Sequence, residues 1–245
     1  MSGRGIPAQV GTVAAGRPLS AVGLFAGHVW AIVQKDLLLE ARTRELFASM
    51  VFFAILVGLV FNFAFELRVA NVVGVLSGAV WTAFLFAAVL GLNRSFALER
   101  EDGSLEGLVL SPISRSALFA GKLIATLLFM LGMEVIVLAV FSIFFNVSLL
   151  QPRLLVVSCL GAVGITAVGT VFASLATSTR AREVLLPVLL FPVLTPVIVS
   201  AVKAMGGILD PAQLGADRPW ITLLIVFDTV FLVVAWLCFE YTLEE

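Results

Sequence analysis

Hydrophobic and polar positions fall in long blocks. Beyond residue 45 the chain passes through six apolar runs, about 47–65, 72–92, 118–145, 154–176, 184–202 and 220–241, with short polar segments between them. The first run, as a helix, is ~28 Å long, enough for a ~30 Å hydrocarbon layer with slight thinning. The pattern predicts an all-α polytopic membrane protein with six transmembrane helices. The run 118–145 is longer than a span needs. Its start is expected at the interface, with Lys122 reaching back to water.

Ahead of these runs, 22–45 mixes the two residue classes. Leu24, Val29, Ile32 and Val33 share one helical face, and Gln34, Lys35, Glu40, Arg42 and Glu45 are polar. This predicts an N-terminal helix lying in the interface plane. Its single histidine, His28, reads as amphipathic filler, not as a ligand. Residues 1–20, rich in Gly, Ala, Pro and Ser, read as a disordered tail. They do not read as a signal peptide. Gly27, His28, Trp30 and Gln34 interrupt the apolar stretch, and no Ala-x-Ala site follows. The rest, 21–245, is expected to form one six-helix domain.

Within the runs, small residues and prolines carry information. Gly74 and Gly78 make a small-xxx-small pattern that admits a close neighbour. Gly161, Gly164 and Gly169 predict a closely packed fourth span. Pro187, Pro192 and Pro196 predict a distorted or broken fifth span, because each removes a backbone donor. The segment 203–219 reads as a polar connection. Trp220, Trp236 and Tyr241 suit interfacial anchors at the ends of the last run.

Composition agrees with the pattern. The chain is 61% hydrophobic and 13% charged, with mean hydropathy +1.13. Soluble domains average roughly 45–50% apolar and about 25% charged. A net charge of −1 gives no attraction to nucleic acid. Cys159 and Cys238 lie in apolar runs and read as small buried residues. The basic residues set the orientation. With the N-terminus in the cytoplasm, only Arg68, Arg153, Lys203 and Arg218 of the fifteen lie outside. Six spans return the C-terminus to the cytoplasm, and the loop 93–116 is cytoplasmic.

The chemistry of a self-sufficient enzyme is missing from the sequence. Gly121-Lys122 lacks the first glycine of a phosphate loop and is followed by Leu123. One histidine cannot supply a convincing hydrolytic triad or a metal cluster. Two acids, Glu134 and Asp228, lie inside apolar runs with no lysine or arginine mid-span to pair with them. They read either as protonated or hydrogen-bonded acids that tie helices together, or as a proton or substrate pathway.

The most polar cytoplasmic stretch is 99–112. Asp102 and Ser104 can cap a short helix, Gly103 allows the turn, and Glu106 suits the first turn. Leu105, Leu108 and Val109 form a small apolar stripe, and Ser111-Pro112 ends the helix. Such a helix can lie on lipid or insert its stripe into a soluble partner.

The sequence 101–112, Glu-Asp-Gly-Ser-Leu-Glu-Gly-Leu-Val-Leu-Ser-Pro, resembles the signature loop of the haem exporter protein B (CcmB) family, permeases of cytochrome c maturation. Arg44-Glu45 before a Phe-rich span, the stretch 81–96 and the proline-rich stretch 185–196 are similar as well. The N-terminal tail and 203–219 have no counterpart. The resemblance implies a six-span permease of an ABC transporter, similar in fold to type-2 ABC exporters, in the bacterial inner membrane. It implies that the loop Glu101 to Pro112 docks a separate ATP-binding subunit. It also implies a haem-handling membrane subunit and a periplasmic haem chaperone as partners. Haem would then be substrate, ATP would be used by the partner, and this chain would be non-catalytic with no cofactor of its own. The competing expectations are an ABC-2 type permease exporting a drug, lipid or glycan, a proton-coupled carrier using Glu134 and Asp228, and a non-transporting scaffold.

Overall fold

The computed structural model describes residues 21–43, 45–65, 72–101, 114–176, 182–210, 212 and 215–242. They form seven helices: α1 Ala21–Thr43, α2 Glu45–Phe65, α3 Val72–Glu101, α4 Arg115–Phe145, α5 Pro152–Ala176, α6 Arg182–Leu209 and α7 Arg218–Thr242. There is no strand among the described residues. Every one of the seven is long and apolar enough to cross a membrane by length and composition, α1 included. The tail 1–20 lies outside the described residues.

Side-chain contacts fix the directions of the helices. Asn62 near the end of α2 donates to the Phe144 carbonyl near the end of α4 at 2.7 Å. The Met50 side chain, early in α2, meets Gly91, late in α3. Thus α2 and α4 run together and α3 runs against them. Phe119, early in α4, stacks edge-on against Trp236, late in α7, at 5.9 Å. Helices α2 to α7 therefore alternate in direction along the chain. One end of the bundle carries the 102–113 connection, and the other carries the turns 146–151 and 210–217.

The core lies on α3 and α5. Trp81, Phe84, Leu92, Leu154, Val157 and Ile165 are fully buried there. Helices α2 and α7 stand at the edges, with Phe52, Phe63, Val226 and Val233 exposed as lipid-facing side chains should be. Helix α5 packs closely, as its glycines predict. A Cβ on Gly161 would collide with the Trp81 ring, and one on Gly169 with Leu92. The other small-residue pattern behaves differently, since nothing lies within 4 Å of a Cβ built on Gly78.

Several further expectations change. Helix α6 runs unbroken through Pro187, Pro192 and Pro196. A proline removes only one donor, and Pro192 and Pro196 sit on the exposed side, where their rings clear the packed face. The same helix continues to Leu209, so the first part of 203–219 is helical. Both cysteines are exposed on outward helix faces. Lys122 does not reach for water. It is buried at 7% exposure beside Asp36.

Candidate functional site

Three places concentrate the polar chemistry of an otherwise apolar bundle. The first is the end that bears the 102–113 connection. Helix α3 is helical through Glu101, and α4 opens with Ser114 as its cap, the Ser114 hydroxyl accepting from the Ala117 N–H at 3.3 Å. The connection therefore begins and ends on helices at one end of the bundle. Asp102, Gly103, Ser104, Leu105, Glu106, Leu108, Val109, Ser111 and Pro112 lie outside the described residues.

Just beyond that cap, α1 crosses the first turns of α4. Ile32 fills the space over Gly121, where a Cβ would lie 2.8 Å from the Ile32 Cβ. Beside it the Lys122 ammonium stands 3.8 Å from Asp36 Oδ2, and Lys35 stands 3.0 Å from Asp36 Oδ1. The pairing gives a buried lysine the counter-charge that burial demands. The sequence suggested Lys122 only as an interfacial lysine and as part of a failed phosphate loop. No pattern in the sequence announced its pairing with Asp36 on α1.

The opposite end is tied in a similar way. Arg153 at the start of α5 donates to Asp217 Oδ2 at 2.7 Å. The Asp217 side chain is almost wholly buried, and its backbone passes close over Gly207, where a Cβ would lie 3.0 Å from the Asp217 nitrogen. The Asp217 carbonyl accepts from Ile221 N–H at 3.0 Å and so starts α7. This clamp inside the unmatched segment 203–219 was not foreseen.

The third place is the middle of the bundle. Glu134 on α4 is 1% exposed and Asp228 on α7 is 5% exposed. The Ser158 hydroxyl of α5 stands beside the Glu134 carboxyl at a geometry short of a hydrogen bond. Asp228 fits a notch at Gly164, where a Cβ would lie 2.7 Å from Asp228 Oδ1 and 3.1 Å from Val197. All four carboxyl oxygens lack a hydrogen-bond partner among the described residues. Of the two forms of tie expected for these acids, hydrogen-bonded or protonated, the unpartnered oxygens agree better with the protonated one. The structure brings both acids onto one helix, α5, but not onto each other's contact positions, because Ser158 and Gly164 are six residues apart.

The comparison with protein families decides what kind of bundle this is. The family model described as CcmB protein matches residues 27–244, nearly the whole chain. The chain belongs to the CcmB family. CcmB proteins are membrane transporter subunits of the haem-exporting system of cytochrome c biogenesis. The match takes in the segment 203–219, which had been left without a counterpart, and begins beyond the N-terminal tail 1–20. No curated protein matches the chain.

Proposed function

We propose that this CcmB chain is the six-span permease subunit of an ABC transporter that exports or delivers haem for cytochrome c maturation. A separate ATP-binding subunit drives it and docks on the loop 101–112. The observation that carries this reading is the family match over 27–244 on a multi-helix membrane chain whose charged loop joins α3 to α4.

In this reading α2 to α7 cross the bilayer and α1 lies at the cytoplasmic interface. The α1 contacts support that division. Ile32 is the midpoint of α1, yet it meets Gly121, only ~9 Å along α4 from Arg115. A helix whose middle sits near the end of a span lies along the membrane edge. The type-2 exporter-like architecture and the inner-membrane location are what membership of the family implies, and the bias of basic residues to one side supports cytoplasmic termini.

Force from the ATPase would enter through the stripe Leu105, Leu108 and Val109. It would pass directly to the capped start of α4 and the α1 crossing. The haem-handling membrane subunit and the periplasmic haem chaperone would work at the opposite end. The test is co-purification of the ATP-binding subunit with the full chain. Leu105→Asp with Leu108→Asp should abolish it while the chain still inserts. Retained binding would remove the docking role of the stripe.

A further inference from the structure

We propose that Glu134 and Asp228 are two exchangeable proton sites, set at different depths on the helices that flank α5. A carboxylate in hydrocarbon is compensated by a cationic side chain, by a bound cation or by a proton. No cationic side chain meets either acid among the described residues, and all four oxygens lack partners. A metal ion takes four or more ligands. The Glu134 carboxyl meets one hydroxyl, the Asp228 carboxyl sits between glycine and valine, and no cluster of three ligating side chains exists among the described residues. A proton needs only the carboxyl itself.

The hydroxyls of α5 supply a second, independent observation. Elsewhere in the spans, Thr195, Ser200, Thr222 and Thr229 each donate back to the carbonyl four residues earlier. That is the ordinary way a hydroxyl is satisfied inside a membrane helix. On α5, Ser158, Thr166 and Thr170 are buried and make no such bond. The Trp81 Nε1, on the ring that lies over Gly161, is also unpartnered. Ser158, Gly161 and Gly164 climb α5 in steps of ~4.5 Å, so Trp81 stands at a level between the two acids. Ser158 at Glu134 and Trp81 Nε1 between the two levels are thus open beside the acids, whereas Thr166 and Thr170 lie on another face of α5.

Each step is a simple exchange. The carboxyl O–H breaks, the oxygen keeps the electron pair, and the proton passes to water. Return of a proton from hydronium restores the acid. No oxidant or reductant is needed. Separation of α5 from α4 or from α7 would wet one acid at a time, so proton release would be tied to helix movement.

This inference concerns the chain itself and does not rest on the ATPase reading. The experiment is infrared spectroscopy of the full chain in lipid nanodiscs, in H2O and in D2O. Two carboxylic C=O bands are expected, both shifting on deuteration. Glu134→Gln should remove one and Asp228→Asn the other. Ser158→Ala should shift only the Glu134 band, and Gly164→Ala only the Asp228 band, which keeps the assignment open if a neutralised variant misfolds. Absence of carboxylic bands, or bands indifferent to D2O, would overturn the proposal.

Discussion

The ends of the bundle and its middle treat charge in opposite ways. At one end Lys122 is buried against Asp36, and at the other Asp217 is buried against Arg153. In the middle, Glu134 and Asp228 are as deeply buried and have no partner among the described residues. Burial therefore does not distinguish the acids; pairing does. A charge that holds helices together should have its counter-charge built in, because desolvation is recovered only through good geometry. The end pairs meet that requirement and read as structural clamps. The central acids do not, and a carboxyl left without a counter-charge in hydrocarbon is costly to retain.

Substitutions can break this contrast from its strong side first. Asp36→Leu leaves Lys122 buried without its ion pair and should cost about 3 kcal/mol. Unfolding of the chain in detergent would show it, and adding Lys122→Leu should restore most of the loss. Arg153→Ala should cost less, about 1–2 kcal/mol, because the guanidinium is 60% exposed and water screens the pair. Glu134→Gln and Asp228→Asn should each stay within about 1 kcal/mol of wild type, since they remove no partner. If either central substitution destabilised as much as Asp36→Leu, the division into clamps and unpaired acids would be wrong.

The same contrast shows what the sequence could reveal. Long apolar runs are the strongest signal a chain can carry, because every spanning segment must satisfy its own backbone. The six runs accordingly became α2 to α7, and 22–45 became α1. Their edges were less legible. Helix α3 continues through Glu101, because polar residues outside hydrocarbon remain good helix formers, and α6 continues through Gly206-Gly207 to Leu209, where the Asp217 backbone packs over Gly207. Proline counting exaggerated the disruption of α6, since sequence does not show which face the rings occupy. The depth of Glu134 and Asp228 could be counted from sequence, but their lack of partners could not. The Asp36–Lys122 and Arg153–Asp217 pairs join residues far apart in the chain, and no local pattern announces them. The loop 101–112 was the reverse case. Its residue pattern pointed to the CcmB family directly, and the match over 27–244 agrees.

The most direct test of the functional account is haem movement in sealed vesicles. The purified chain would be reconstituted with its ATP-binding subunit and haem-handling membrane subunit, and haem chaperone would be enclosed on the side away from ATP. The expected result is ATP-dependent loading or turnover of haem on that chaperone, lost with Leu105→Asp and Leu108→Asp. ATP hydrolysis with no change in chaperone-bound haem would contradict the account.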